Sequence, residues 1–210
     1  MLTGLYKRYR RIRYGAPIVV VSGLPRSGTS MLMKMLEAGG TQVVQDGVRT
    51  ADDDNPRGYY EHERIKNLGR EPDKSWLRAA RGKAIKVISY LLKDLPATHN
   101  YSVLFIRREM SEVLTSQQKM LDRRGEAAST DDDQMTELFE NDLWRAGYLL
   151  KHAPQFEVLE LRYTEVVENP RAQAERIRSF LDGSLEVDAM IGVVDKQLYR
   201  NRAPDTASIG

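Results

Sequence analysis

The stretch at residues 19–30, Val-Val-Val-Ser-Gly-Leu-Pro-Arg-Ser-Gly-Thr-Ser, constrains the fold of this chain more than any other. The β-branched apolar run at residues 17–21 predicts a buried parallel strand. Gly23 and Gly28 predict a tight loop, and residues 29–38 predict an amphipathic helix. In such a strand–loop–helix unit the loop amides and the helix N-terminus converge, which favours an anion. The stretch therefore predicts a phosphate-binding site.

The spacing of the two glycines is that of a P-loop, G-x-x-x-x-G-K-[ST], with one change. Thr29 stands where the lysine is expected, and Ser30 takes the final hydroxyl position. Because that lysine holds the outer phosphates of a nucleoside triphosphate, its absence makes NTP hydrolysis the weaker interpretation. Arg26 keeps a cation inside the loop. A plain strand-to-helix turn without a ligand is the alternative.

The rest of the chain alternates apolar runs with amphipathic helices, which predicts an α/β fold with a parallel central sheet, flanking helices and right-handed crossovers. Further strands are expected at residues 41–45, 83–89, 102–107 and 156–161. In such sheets ligands bind beyond the carboxyl ends of the strands. We therefore expect Arg26, Lys86 and Arg108 to meet there.

A long amphipathic helix is predicted at residues 135–152. Its large apolar side chains are interpreted as core rather than as a cofactor site. These side chains are Leu138, Phe139, Leu143, Trp144, Tyr148 and Leu149.

Composition bounds the class of protein. A single domain over residues 1–210 is expected, because 41% apolar content at this length can bury one core. The net charge of +2 does not favour nucleic acid as a partner. The absence of cysteine excludes a disulfide framework and a thiolate metal site, and no apolar run approaches the ~20 residues of a membrane span. A cytoplasmic protein is expected, and a homo-oligomer is left open.

Two segments are expected to lie outside the core. Residues 1–15 form a basic arm, which we interpret as a solvated, frayed end; contact with anionic lipid or with a cosubstrate is the alternative. Residues 123–133 are rich in charged and small side chains, and they are expected to be a mobile loop.

Two further motifs follow the loop in order. Arg108 ends a predicted strand, and Ser116 follows eight residues later in a predicted helix. A guanidinium forms forked, charge-assisted hydrogen bonds with phosphate, and a serine hydroxyl adds one more. The third motif, Leu-Arg-Tyr-Thr-Glu-Val-Val-Glu-Asn-Pro, occupies residues 161–170. Together the three motifs, within residues 18–182, resemble the sulfotransferases that use 3′-phosphoadenosine 5′-phosphosulfate (PAPS), whose loop often reads P-[RK]-S-G-T-[TS].

The resemblance implies a P-loop nucleotide-binding, sulfotransferase-like fold. It also implies sulfuryl transfer from PAPS to a hydroxyl or amine, with adenosine 3′,5′-bisphosphate (PAP) as product and no required metal. Positioning and electrostatics would dominate such an in-line transfer. The acceptor is left open among small molecules, carbohydrates, lipids and peptides.

The resemblance also assigns roles to residues. Arg26 would stabilise the bridging oxygen, Lys86 would face the sulfuryl group, and Arg108 with Ser116 would hold the 3′-phosphate. The groups expected to hold the 5′-phosphate are the amides of Ser27 and Gly28 and the hydroxyls of Thr29 and Ser30. The basic residues expected to close a C-terminal loop over the nucleotide are Lys196, Arg200 and Arg202; a solvated tail is the alternative.

The position of the general base is occupied differently here than in one branch of the family. Ile88 stands where small-molecule sulfotransferases carry a histidine. Glu61, which closes Asn-Pro-Arg-Gly-Tyr-Tyr-Glu, is the favoured base, and burial against the two tyrosines before it would raise its pKa. A glutamate that only stabilises a helix N-terminus is the alternative. Asp54 and His62 are weaker candidates.

Two other functions compete with this hypothesis. One is a P-loop kinase with residues 52–54, three aspartates, on Mg²⁺. Against it stand the missing P-loop lysine and the lack of a strand that ends in a carboxylate. The other is a nucleotide-binding module that retains the fold without catalysis.

Overall fold

A parallel four-stranded sheet forms the centre of the molecule in a computed structural model, which describes residues 2–45, 60, 62–124, 131–181 and 183–195. The strands lie in the order β2-β1-β3-β4, and all neighbouring pairs are parallel. Their bounds are β1 Ile18–Ser22, β2 Ala84–Lys86, β3 Tyr101–Arg107 and β4 Phe156–Arg162. The predicted α/β class with a parallel central sheet is confirmed.

Helices cover both faces of this sheet. The α-helices are α1 Leu2–Tyr14, α2 Thr29–Ala38, α3 Glu63–Lys66, α4 Met110–Arg124, α5 Asp132–His152, α6 Tyr163–Glu168, α7 Pro170–Phe180 and α8 Val187–Gly192. Two 3₁₀ helices span Ser75–Ala80 and Ser89–Asp94. No helix in the described part of the chain is long and apolar enough to cross a membrane.

The strands alternate their side chains between two cores, as the period of two requires. Val19 and Val21 of β1 join the core formed with α2, α6, α7 and α8. Ile18 and Val20 face the opposite core, which contains both 3₁₀ helices and α5. All four side chains are buried, so β1 is the centre of the fold and carries the loop that follows it.

The strand predicted at residues 41–45 is wrong. Within the described residues this segment forms one isolated parallel bridge, between Val43 and Ala84. Two backbone hydrogen bonds flank it, from Val44 N to the Ala84 oxygen at 2.9 Å and from Ala84 N to the Gln42 oxygen at 2.8 Å. The neighbouring strand β2 has only three residues, which leaves a short edge for pairing.

The interpretation of the six α5 side chains as core is wrong for three of them. Leu138, Trp144 and Tyr148 are 59%, 68% and 58% exposed. The buried residues of α5 are instead Ala146 and Leu150. Apolar residues occupy more than one face of this helix, so periodicity alone does not identify the face that packs against the sheet.

The basic arm expected to fray is the helix α1, and Arg10 anchors it. This side chain is buried, and its Nε donates to Asn100 Oδ1 at 3.0 Å. Its Nη2 donates to the backbone oxygens of Ala97 and His99, both at 2.8 Å. Asn100 Nδ2 returns a hydrogen bond to the Arg10 oxygen at 3.0 Å. The arm is therefore fixed to the loop that precedes β3.

Both ends of the segment expected to be a mobile loop, residues 123–133, belong to helices or their caps. Helix α4 continues to Arg124, and Asp131 caps the N-terminus of α5. Residues 125–130 lie outside the described part of the chain.

We expect Arg10→Ala to lower the free energy of unfolding by about 2–3 kcal/mol, because three acceptors lose a charged donor. Arg8→Ala is the matched control on the same helix, because Arg8 is exposed; its effect should stay within about 0.5 kcal/mol. Urea denaturation of the two variants measures the difference. Equal stabilities would show that α1 is not held through Arg10.

Candidate active site

The loop after β1 folds tightly against its neighbours. Gly23 has φ +156°, and a Cβ there would lie 2.5 Å from the backbone oxygen of Ile106. The Gly23 oxygen accepts a hydrogen bond from Ser89 N at 3.1 Å. Ser27 is buried, and its Oγ donates to the Leu24 oxygen at 2.7 Å. The Ser27 amide donates to the same oxygen at 3.2 Å, so both polar groups of Ser27 close the loop. This amide is also the group that the resemblance assigned to phosphate.

Gly28 ends the loop as the N-cap of α2. Its φ of +106° lies in the left-handed region, and no side chain caps the helix. A Cβ at this position would lie 2.5 Å from Cδ2 of Tyr163. No acidic residue stands in the first turn of α2. The uncapped N-terminus of this ten-residue helix offers its first amides to an anion.

Three cationic side chains lie at this loop: one belongs to the loop itself, and two come from the ends of neighbouring strands. Arg26 Nε donates to Ser116 Oγ of α4 at 3.1 Å. Arg108, directly after β3, donates from Nη1 to the Arg26 oxygen at 3.2 Å. Lys86, the last residue of β2, donates from Nζ to Ser30 Oγ at 3.4 Å. The structure therefore brings together these five residues, which the sequence assigned to one site.

The guanidinium of Arg108 is held from two sides. Its Nε donates to Glu112 Oε2 at 2.8 Å, and the two side chains are 7% and 1% exposed. Its Cζ lies 4.3 Å from the centre of the Tyr163 ring, within the range of a cation–π contact. Burial raises the pKa of the Tyr163 hydroxyl, against the opposing effect of Arg108. This arrangement fixes the orientation of the guanidinium.

Sequence reasoning missed the roles of Glu112 and Tyr163. Glu112 follows Arg108 by four residues on a predicted helix, and that spacing is the signal of a side-chain pair. Tyr163 lies inside the third motif, but its contact with Gly28 joins residues distant in the chain. Only the three-dimensional packing could identify that contact.

A third residue that the sequence did not single out is Asp142 of α5. Its carboxylate accepts a hydrogen bond from Ser89 Oγ, and burial raises the pKa of this carboxyl group. Ser89 is buried, and its amide holds the Gly23 oxygen. Asp142 thus connects α5 to the beginning of the phosphate loop through one serine.

Three predicted site residues lie outside the described part of the chain: Glu61, Arg200 and Arg202. Asp54 and Lys196 lie outside it as well. Tyr60, directly before Glu61, is buried in the α2 core and donates from its hydroxyl to Glu37 Oε2 at 2.5 Å. Burial raises the pKa of this hydroxyl.

His62, a weaker candidate for the base, has structural contacts. Its Nδ1 accepts a hydrogen bond from Arg64 N at 3.2 Å, which caps α3. Its ring stacks on Trp76 with centroids 5.2 Å apart and planes 4° apart. His62 thus caps a helix and packs against the Trp76 indole, which are structural contacts.

The groups that converge on the loop are donors: guanidinium, ammonium, hydroxyl and backbone amide. This set fits phosphate or sulfate oxygens, which accept charge-assisted hydrogen bonds. Among the described residues, no group of three or more histidine, cysteine, aspartate or glutamate side chains could hold a metal ion. The arrangement can bind a polyanion and stabilise negative charge that develops on it.

Comparison with known proteins gives one family and a fold. Residues 16–202 match the model of the sulfotransferase domain family. The mouse sulfotransferase SULT7A1, solved in complex with PAP, superposes with a TM-score of 0.54 at 18% identity, over 85% of this chain and 62% of that one. The sulfotransferase domain of the curacin biosynthetic pathway superposes with a TM-score of 0.55 at 16% identity, over 86% and 78%. No curated protein sequence matches the chain.

At 18% and 16% identity, these two structures support a shared fold for this chain and nothing beyond it. The chain spans 62% of the length of the mouse protein.

We expect Gly28→Ala to destabilise the protein more than Gly40→Ala. Both glycines have positive φ, +106° and +97°, so both variants strain the backbone by about 1–2 kcal/mol. Only at Gly28 does the new Cβ meet a ring, whereas no atom lies within 4 Å of the position at Gly40. Chemical denaturation should give an additional loss of about 1–3 kcal/mol for Gly28→Ala. Equal losses would mean that the Tyr163 ring moves aside freely.

Proposed function

The chain belongs to the sulfotransferase domain family, and from this membership we propose that it transfers a sulfuryl group from PAPS to an acceptor hydroxyl or amine. The bond between sulfur and the bridging oxygen of the phosphosulfate breaks, and a bond from sulfur to the acceptor atom forms. The acceptor proton passes to a base. The products are PAP and the sulfated acceptor.

The observation that carries the proposal is the meeting of Arg26, Lys86 and Arg108 at one glycine-bounded loop. PAPS carries anionic groups at its 5′ and 3′ positions. Lys86 contacts the loop at Ser30, whereas Arg108 contacts it at the Arg26 carbonyl. Two cations that approach the loop from different strands match a ligand with two separate anionic groups.

The proposed binding of the donor follows from these contacts. The amides of Ser27 and Gly28 and the hydroxyls of Thr29 and Ser30 hold the 5′-phosphate at the start of α2. Its uncapped N-terminus supports this role. Arg108 and Ser116 hold the 3′-phosphate. Both side chains are fixed before the ligand arrives, because Arg108 pairs with Glu112 and Ser116 accepts from Arg26.

The proposed stabilisation of the transition state falls to Arg26 and Lys86. Arg26 has φ +66°, a conformation that costs free energy for a side chain other than glycine and that tight surroundings must impose. Its guanidinium would neutralise the charge that grows on the bridging oxygen, and Lys86 would face the sulfuryl oxygens. Oriented cations of this kind need little reorganisation during the reaction.

Glu61 is the proposed base. Its neighbour Tyr60 is anchored in the core that contains α2 and Ala84. Lys86 lies two residues beyond Ala84 on β2 and therefore on the same face of the sheet. Because Tyr60 is anchored on the face of the sheet that carries Lys86, a role for Glu61, the next residue, in the same site is supported.

Arg200 and Arg202 are proposed to close over the nucleotide. The last described residue, Asp195, supports this. Burial is the main cause of the raised pKa of Tyr163, and the Asp195 carboxylate adds to it. The chain that leads to these arginines therefore begins near the ring beneath Arg108. We further propose that the reaction requires no metal. A cytoplasmic location is also proposed, because a chain without cysteine suits a reducing compartment.

The 3′-phosphate site is tested with the double variant Arg108→Met/Glu112→Met. Removal of Arg108 alone would leave Glu112 buried without this partner, at a cost of about 3–5 kcal/mol. The double variant should lose about 10–150-fold in PAP affinity, the equivalent of one charged hydrogen bond. Affinity for adenosine 5′-monophosphate, which lacks the 3′-phosphate, should change little.

Calorimetric titration measures both ligands, with Arg178→Ala, an exposed arginine of α7, as control. Equal losses for PAP and the monophosphate would remove Arg108 and Ser116 from the 3′ site. Binding of ATP with Mg²⁺ but not of PAP would favour the kinase and overturn the proposed function.

Glu61→Gln should retain PAP affinity and slow turnover by about 10²–10⁴-fold, because an amide cannot take the acceptor proton. Glu63→Gln is the matched control, since Glu63 is exposed and its carboxylate binds Lys66 at 2.6 Å. Release of PAP is followed with panels of phenol, sugar and amine acceptors. An unchanged rate in Glu61→Gln would assign the base elsewhere, and loss of PAP affinity would give Glu61 a binding role.

A further inference from the structure

Helix α5 borders an open groove of about 520 Å³ on the face of the sheet that carries Arg107. Arg107 ends β3, two residues after Phe105, so its side chain shares the face of Phe105 rather than that of Ile106. The remaining residues that line the groove all belong to α5: Glu140, Leu143, Trp144, Gly147, Tyr148, Lys151 and His152.

Stacked rings form one wall of this groove. The Trp144 and Tyr148 rings stack with centroids 5.9 Å apart, and the Tyr148 and His152 rings stack at 4.1 Å. Trp144 and Tyr148 are nevertheless mostly exposed. Large exposed aromatic side chains on adjacent turns mark a contact surface rather than ordinary solvent-facing residues.

Gly147 leaves a gap beside this wall. The nearest atom to an added Cβ there is Arg107 Nη2, at 3.9 Å. Arg107 is held in place by Glu160, whose Oε2 lies 3.1 Å from its Nε, and its Cζ lies 5.7 Å from the centre of the Phe105 ring. The gap therefore has a planar guanidinium at its side, a surface on which an indole can stack.

Opposite charges stand at the two ends of the groove. Glu140 and Lys151 both line it, and neither side chain forms an ion pair with another described residue. Between them lie Trp144, which has the largest side chain, and Gly147, which has none. The acidic Glu140 and the basic Lys151 therefore flank this pair. The spacing from Glu140 through Trp144 and Gly147 to Lys151 reads the same in both directions: four, three and four residues.

We propose that this groove binds the α5 helix of a second copy of the chain in a two-fold symmetric dimer. When two such helices pair antiparallel about a point between Trp144 and Gly147, each Trp144 meets the gap at Gly147 of the other copy. Glu140 then faces Lys151 across the interface, twice. A self-complementary patch of this kind is what a two-fold interface requires. The proposal does not depend on the proposed function.

Charge reversal tests the pairing directly. Glu140→Lys and Lys151→Glu each create two like-charge pairs and should weaken the dimer on the order of tenfold or more. The double variant Glu140→Lys/Lys151→Glu restores both pairs with their signs exchanged, so its dimer affinity should return to that of the unaltered protein. Sedimentation velocity over a concentration series gives the dissociation constant of each variant.

Trp144→Ala tests the aromatic contact and should weaken the dimer on the order of 30-fold, as expected for a central tryptophan in an interface. Two controls accompany it: Tyr90→Ala removes an exposed ring elsewhere, and Glu175→Lys changes the charge on α7. Neither should alter the dissociation constant. Since all the altered side chains are exposed, the variants should retain the fold, which circular dichroism checks.

Three results would overturn the proposal. One is an unaltered protein that stays monomeric at its highest soluble concentration. The second is a dimer that withstands Trp144→Ala and both single reversals. The third is a double reversal that stays as weak as the single ones. Recovery by the double reversal, together with the loss in Trp144→Ala, would establish the antiparallel pairing.

Discussion

The contact between the Gly28 backbone and the Tyr163 ring is the packing constraint on which the site depends. The ring edge occupies the space that a Cβ at residue 28 would need, and the ring face carries the Arg108 guanidinium. One aromatic side chain at the start of α6 thereby sets the spacing between helix α2, the proposed anion site, and the arginine that approaches from β3. Because interiors are close-packed, a change at either contact is transmitted to the other.

The cations of the site are held by partners within the chain. Arg108 pairs with a buried glutamate, and Arg26 is oriented by a serine of α4. Buried charges require such compensation, because an isolated guanidinium away from water is costly. The same partners restrict the motion of the donors, so less conformational freedom would be lost on binding of the proposed polyanionic ligand.

Local signals predicted the central unit of the fold, whereas long-range packing decided the rest. The helix at residues 29–38 was predicted with its observed bounds, because Gly28 and the apolar period mark both the turn and the helix. Leu138, Trp144 and Tyr148 of α5 were predicted as core because apolar residues occupy more than one face of this helix. The proposed roles of Arg26, Lys86 and Arg108 came from the family resemblance. Lys86 and Arg108 meet the loop of Arg26 because parallel strands end at one edge of the sheet.

The anchoring of α1 has a consequence for the order in which the chain folds. The acceptors of Arg10 lie about ninety residues later in the chain and are therefore synthesised after it. At a synthesis rate of about 5–20 residues per second, the helix waits several seconds before those acceptors leave the ribosome. Contacts of such long sequence separation form late because they must close a long loop. Helix α1 is therefore expected to dock late, after the segment that carries its acceptors has been made.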